Sequence, residues 1–299
     1  MNSPTEIHTE DSPALPLDAR TLIDRYAVRA KKSWSQNFLI DERAYRSIVA
    51  ACAVTDGDTA VEIGSGLGTL TSHLLLTGAQ VIAVERERDM CAILQHELGN
   101  QPKLRLMSAD ALQLNLGELL PPDPTQGPRR IVVVGNLPYQ IASPLIFHIL
   151  AQRALLSRMV VMIQREVADR LLARVASDAY SAMSAQVQML ARVELVCHVG
   201  RRGFIPAPRV DSTVVRLVPY ERSAVPVRSL QNYAAVVRAG FGQRRKMLRN
   251  ALAAQFGPDG LAALEGSGID LSRRAETLSL AEFARLADAL PDSTKLPTA

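Results

Sequence analysis

The chain has 299 residues, with 34 Lys+Arg against 30 Asp+Glu for a net charge of +4, and 47% of its residues are hydrophobic. That length buries a full α/β core with room for a smaller second domain, and so weak a net charge makes nucleic-acid binding a matter of where the cations stand. No 18-residue apolar run and no cationic stretch ahead of an apolar core is present, which argues against membrane insertion and export and predicts a cytoplasmic protein.

Residues 1–20 place Glu6, Glu10, Asp11 and Asp18 among Pro and Ser and predict an acidic disordered tail. TLIDRYAV, from Thr21, reads as a helix. Residues 60–68, AVEIGSGLG, predict an apolar strand that ends at Glu62 and opens into Gly64, Gly66 and Gly68 before the helix-like TLTSHLLL. Glycines let a backbone turn tightly and approach a ligand, and a helix start supplies free N–H groups. The next strand, QVIAVE, ends about twenty residues on at Glu85, where a carboxylate can accept from a ribose diol. The spacing is G-x-G-x-G rather than the G-x-G-x-x-G of dinucleotide folds, and Glu62 stands where a ligand amine rather than a pyrophosphate would be welcome. After a third strand, LRLMSADAL, Asp110 is placed to accept from the N6 amine of an adenine. Together these residues predict a site for S-adenosylmethionine (SAM).

The segment PPDPTQGPRR, 121–130, reads as a loop, and IVVVGNLPYQIASPLIF, 131–147, as a buried strand that ends abruptly in Asn136-Leu137-Pro138-Tyr139. The ends of such strands are where open α/β sheets place ligand chemistry. The Asn136 amide oxygen can accept from an exocyclic amine, a carbonyl of Leu137 or Pro138 can accept a second N–H, and Tyr139 offers a flat face to a nucleobase. Two acceptors on the N–H bonds of an adenine amine favour pyramidalisation and free its lone pair for attack. Taken alone, the tetrapeptide also fits a proline-terminated strand with a half-buried tyrosine.

The strand-like STVVRLVP is followed by a linker at 219–226, and the rest is helical in pattern. The expected organisation is a tail over 1–20, an α/β domain over 21–220, a helical domain over 227–290 and a frayed terminus at 291–299. Basic residues cluster at 25–32, at 201–209 with Arg201, Arg202 and Arg209, and at 244–249 with Arg244, Arg245, Lys246 and Arg249. The last group lies in FGQRRKMLRNAL, 241–252, whose Phe241, Met247, Leu248 and Leu252 fall near helical spacing and predict one helix turning its cations outward to phosphates. Cys52, Cys91 and Cys197 form no C-x-x-C pair and His198 brings no further ligand spacing, so neither a disulfide framework nor a metal site is suggested.

Trp34-Ser35-Gln36-Asn37-Phe38-Leu39, the glycine loop, Glu85, Asp110, NLPY and FIPAPRVDSTVVRL occur in the order found in the ribosomal RNA adenine N6-dimethyltransferases, which the chain resembles over residues 28–255, most closely the bacterial small-subunit branch. The resemblance implies a Rossmann-like SAM-dependent methyltransferase domain with a mixed seven-stranded sheet, a small α-helical C-terminal domain in contact with rRNA, and a monomer. By it, Gln36, Asn37 and Leu39 would close over the methionine and ribose of SAM, and Gly64 and Gly66 would face its carboxylate end. Glu85 would hold the ribose, Asp110 and the Ala111 N–H the cofactor adenine, with Asn136 also bordering the cofactor. Asn136, Pro138 and Tyr139 would hold the target adenine, with Phe204 stacked on its other face. The implied activity is dimethylation of two adjacent adenines in the 3′-terminal hairpin loop of 16S rRNA in an immature small subunit. Ser35 stands where glycine is usual, CHVGRRGF lacks paired prolines and Ser181 replaces a glycine after Tyr180; these departures bear on RNA choice. SQNF also suits the large-subunit (23S) methylases of macrolide resistance, and an assembly factor without activity is a third alternative.

Overall fold

The computed structural model describes residues 15–28, 37–120, 131–243 and 246–291. Nine strands and ten helices are placed among them. Strands β2 (Thr59–Ile63), β3 (Gln80–Glu85), β4 (Leu104–Ser108), β5 (Ile131–Asn136), β6 (Leu156–Gln164), β7 (Ala191–Val199) and β9 (Ser212–Pro219) form one sheet in the order β4-β3-β2-β5-β6-β9-β7. The β4-to-β6 pairings are parallel, whereas β9 runs antiparallel to both β6 and β7, so the sheet is mixed and seven-stranded as expected. A two-stranded piece pairs β1 (Phe38–Leu39) with β8 (Phe204–Ile205).

The central strands are almost uninterrupted apolar runs because both faces of the sheet are covered. Alternate residues of β2, β5 and β6 serve opposite layers: Val61, Ile63, Val133 and Val161 pack with α5 (Ala142–Ala151) and α6 (Arg165–Leu172), while Ala60, Val132, Val134 and Val160 pack with α2 (Glu42–Cys52) and α3 (Thr69–Leu75). From β2 the chain winds outward through β3 and β4, then returns to the other side of β2 as β5. The crevice at that reversal, beyond the carboxyl ends of β2 and β5, is where ligands bind in open α/β sheets.

The chain is already packed before Thr21, within the segment expected to be a disordered tail; residues 1–14 lie outside the described residues. Helix α1 (Ala19–Arg25) starts from Asp18, whose side chain accepts from the Thr21 N–H, and Leu17, Ala19 and Leu22 are buried against Leu67, Met90, Ile93 and Leu94. Asp18 is thus a helix cap rather than one more tail charge. Residues 121–130 lie outside the described residues.

Helices α8 (Leu230–Gly242), α9 (Leu248–Glu265) and α10 (Leu280–Ala289) surround a separate core of Tyr233, Val237, Leu252, Leu264 and Phe283. That core also takes in Tyr180, Ala185 and Met189, and the Tyr233 hydroxyl donates to the Ala185 carbonyl of α7 (Ala182–Leu190), so the helical segment is seated on the sheet domain. The single helix expected over 241–252 is instead two. The break lies between Gly242 and Leu248, where the first N–H groups of α9 turn away to the Arg273 and Leu271 carbonyls. Met247, expected in the apolar stripe, is exposed at this junction.

Candidate active site

A cavity of about 390 Å³ opens at the carboxyl ends of β2, β3, β4 and β5, within the range of small-molecule sites. Its lining includes Asn37, Leu39, Gly64, Gly66, Glu85, Asp110, Ala111, Asn136, Pro138 and Tyr139, so these residues from five chain segments converge on one space. Gln36 lies outside the described residues.

Parallel register aligns the strand ends: Ile63 stands opposite Val84, Glu85 opposite Ser108, and Glu62 opposite Val134. Gly64 and Gly66 adopt φ values of 71° and 53°, a conformation side chains resist, and a Cβ on Gly66 would stand 3.7 Å from the Phe38 ring. The Gly66 N–H donates to Glu85 Oε2 at 2.9 Å, while Glu85 Oε1 accepts from the Arg86 and Glu87 N–H groups at 2.7 and 2.8 Å. Backbone donors thus fix the Glu85 carboxylate at the cavity wall.

Asp110 Oδ1 accepts from the Leu112 N–H at 3.0 Å, capping the short turn Ala111–Gln113, and Arg86 Nη1 stands 3.2 Å from Oδ2. At the end of β5, Asn136 Nδ2 donates to the Asn37 carbonyl at 3.1 Å, which leaves Oδ1 as the acceptor end of the amide. The Leu137 N–H donates to the Met162 carbonyl, and the Pro138 carbonyl accepts from the Ile141 N–H with a second lone pair to spare. Tyr139 is held by its hydroxyl, 3.2 Å from Ser212 Oγ.

Phe204, expected to stack on the target adenine, is not among the residues that line the cavity. It is 3% exposed, paired with Leu39 in the β1–β8 piece and packed with Tyr45, Ile48 and Val199.

Glu62 also lines the cavity. It is 2% exposed on the cavity floor, takes a short hydrogen bond from Thr71 Oγ1, and burial pushes its carboxyl from the ordinary 4.5 up to about 8. Burial therefore favours the neutral acid over the carboxylate. The native state keeps this proton up to about pH 8 whereas the unfolded chain loses it near 4.5, so stability falls as pH rises between the two. Urea unfolding between pH 5 and 8.5 is expected to show that decline, on the order of a few kcal/mol, and Glu62→Gln to flatten it. Parallel pH profiles would assign the slope to other groups.

Several lining residues carry no sequence signal of their own. Tyr45, on α2, donates to the Leu39 carbonyl at 2.5 Å and accepts from the Thr69 hydroxyl, 2.7 Å away, tying the β1 wall to α3; only the folded chain brings these three together. Ser65 Oγ is buried at the cavity wall close to the Glu62 carboxyl. Phe38 lies between two assigned positions and lines the cavity with its ring close to Gly66.

Of the expected RNA-contacting cations, Arg201 and Arg202 are exposed just before β8, with the Arg201 N–H on Asp211 Oδ1, and Arg209 is exposed between β8 and β9. Lys246 is exposed at the α8–α9 junction and Arg249 pairs with Glu265 at 2.8 Å, a bond that phosphate would have to displace. Arg244 and Arg245 lie outside the described residues. Cys52, Cys91 and Cys197 are free thiols. No helix among the described residues is long and apolar enough to cross a membrane.

The residues present fit SAM. Positive-φ glycines give close backbone approach, Ser65 supplies a buried hydroxyl, and the carboxylates of Glu85 and Asp110 line the same cavity and can accept from hydroxyl and amine donors. This sheet, with its cavity at the strand reversal, defines a Rossmann-like SAM-dependent methyltransferase. The sequence pattern of the ribosomal RNA adenine dimethylases matches residues 27–292, and the chain belongs to that family. It is 45% identical to "Ribosomal RNA small subunit methyltransferase A" of Anaeromyxobacter sp. (strain K), over 89% of this chain and 95% of the relative. It is 42% identical to the protein of the same name from Pseudomonas putida, over 90% and 98%. Among solved structures, a dimethyladenosine transferase from Plasmodium falciparum is similar with a TM-score of 0.68 at 27% identity, covering 83% of this chain and 95% of that one. The 23S rRNA methyltransferase ErmE shares the fold, with a TM-score of 0.63 at 23% identity over 85% and 99%.

Proposed function

We propose that this protein dimethylates N6 of adenines in small-subunit ribosomal RNA, with the two adjacent adenines of the 3′-terminal hairpin loop of 16S rRNA in an immature subunit as its target. The observation that carries this reading is the Asn136 amide. Anchored through Nδ2 on the Asn37 carbonyl, it keeps Oδ1 as its acceptor end and lines the same cavity as Pro138, Tyr139, Glu85 and Asp110. The small-subunit target rests on the relatives' shared name and on the NLPYQIASPLIF and FGQRRKMLRNAL runs.

When bound, SAM supplies a methyl group activated by its sulfonium. In this reading Glu85 accepts from the ribose hydroxyls, Asp110 from the cofactor amine, and the Ala111 N–H donates to its purine ring, with Asn37, Leu39, Gly64 and Gly66 along the methionine end. The target base leaves its stack, at a cost of a few kcal/mol that is smallest in a loop. Stacking on Tyr139, about 1–3 kcal/mol, offsets part of it. Asn136 Oδ1 and the Pro138 carbonyl draw on the two N6–H bonds and localise the nitrogen lone pair. After one methylation a single N–H remains, enough for one acceptor, so a second round uses the same groups. The exposed cations Arg201, Arg202, Arg209, Lys246 and Arg249 would contact phosphates, with Arg244 and Arg245 from the same junction, and the helical segment 227–290 would serve as the rRNA-contacting domain. A monomer acting in the cytoplasm suffices for this chemistry.

Labelled methyl transfer from SAM to undermethylated small and large subunits, assayed separately and digested to nucleosides, tests the reading. Label as N6,N6-dimethyladenosine in the small subunit alone is expected. Label in the large subunit overturns the target, and absence of transfer with SAM still bound favours an assembly factor. For the cofactor end, Asp110→Ala is expected to weaken SAM about tenfold or more by calorimetry, through loss of a charge-assisted hydrogen bond. An unchanged Kd would remove Asp110 from the adenine subsite.

A further inference from the structure

Arg86 joins the two carboxylates that flank the cavity. Its main-chain N–H donates to Glu85 Oε1 at 2.7 Å, and its side-chain Nη1 lies 3.2 Å from Asp110 Oδ2. The residue follows β3 directly, lines the cavity and is 62% exposed, against 28% for Asp110. Asp110 is therefore held on both sides, with Oδ1 on the Leu112 N–H and Oδ2 on the guanidinium. A carboxylate oxygen so held keeps a lone pair, and its direction is set by the partner already there.

We infer that Arg86 is a positioning residue that aims Asp110 Oδ2 as an acceptor and so makes the site select a 6-amino over a 6-oxo purine in the bound cofactor. This rests on the methyltransferase reading above, and it concerns a residue to which neither motif spacing nor family resemblance gives a role. The selectivity follows from acceptor chemistry. An oriented carboxylate rewards an N–H donor and repels a carbonyl oxygen, whereas a side chain free to rotate discriminates less. Lysine at this position would keep the charge but lose the planar fork that fixes direction. Because Arg86 is largely exposed, the effect is that of a screened pair, about three- to fivefold.

The test measures Kd for S-adenosylhomocysteine and for its 6-oxo analogue S-inosylhomocysteine by calorimetry. The proteins are the wild type, Arg86→Leu, Arg86→Lys, Asp110→Asn and the Arg86→Leu/Asp110→Asn double variant. Expected is about three- to fivefold weaker binding of S-adenosylhomocysteine by Arg86→Leu, a smaller loss by Arg86→Lys, and less than about twofold change for the inosyl ligand, which lacks the amine that this acceptor rewards. In the Asp110→Asn background the Arg86 substitution should have no further effect on the amino-to-oxo ratio. An equal shift of both ligands, tighter binding by Arg86→Leu, or a shift in that ratio that persists without the Asp110 carboxylate would overturn the inference. Failure of the wild type to bind S-adenosylhomocysteine would sink the methyltransferase reading itself and the inference with it.

Discussion

Asn136→Ala is expected to lower the rate of methyl transfer by about 10²–10³-fold while leaving SAM affinity nearly unchanged. Truncation removes the acceptor proposed for the target adenine. It leaves the β5 backbone in place, because Asn136 is held opposite Met162 by parallel pairing and the Leu137 N–H stays bonded to the Met162 carbonyl. Glu85 and Asp110, proposed as the cofactor-side acceptors, keep their own partners. Asn136→Asp separates acceptor strength from acceptor direction. A carboxylate is the stronger acceptor, yet it has no N–H to give the Asn37 carbonyl and would meet that oxygen with a repelling one. The aspartate variant should therefore be about as impaired as the alanine one, although it carries an oxygen at the right place. Single-turnover transfer with calorimetry on the same preparations decides the matter. A loss of SAM affinity as large as the loss of rate would place Asn136 on the cofactor instead, and an active aspartate variant would show that the Asn37 anchor is unnecessary.

The sheet, the crevice and most of its wall were legible in the chain because they rest on local signals. Apolar runs ended by Glu62, Glu85 and Asn136 mark strands whose carboxyl ends face one edge, and Gly64 and Gly66 mark the turn between them. What escaped depends on contacts distant in sequence. Phe204 looks like an available aromatic beside a ligand, yet pairing with β1 buries it, and no property of FIPAP announces that partner. Tyr45 looks like one apolar residue on an amphipathic helix until its hydroxyl meets Leu39 and Thr69. The same holds for FGQRRKMLRNAL. Its spacing suits one helix, but the loop carbonyls of Leu271 and Arg273 capture the N–H groups of Leu248 and Arg249 and start a new one. Arg86 follows an expected site residue, and its link to Asp110 across the ends of β3 and β4 is visible only once those strands are paired.

Gly135→Ala is expected to abolish cofactor binding and methyl transfer together and to destabilise the protein by about 3 kcal/mol or more. Gly135 sits inside the apolar run of β5, where alanine looks harmless by hydropathy. A Cβ built there would lie 2.4 Å from the Ile63 carbonyl oxygen and 3.3 Å from its carbon, on the neighbouring strand β2. The obstacle is backbone, so no side-chain rotation relieves it, and β5 and β2 must part. Their separation moves Ile63 and Gly64 on one strand and Asn136 on the other, which are the two edges of the strand reversal that makes the crevice. Glycine here is thus required by the closeness of two strands rather than by its freedom of φ, and the loss should couple stability to function where Asn136→Ala does not. Urea unfolding of Gly135→Ala beside SAM calorimetry measures both. A variant with native stability and full SAM affinity would mean that the sheet tolerates the wider spacing and that the crevice does not depend on it.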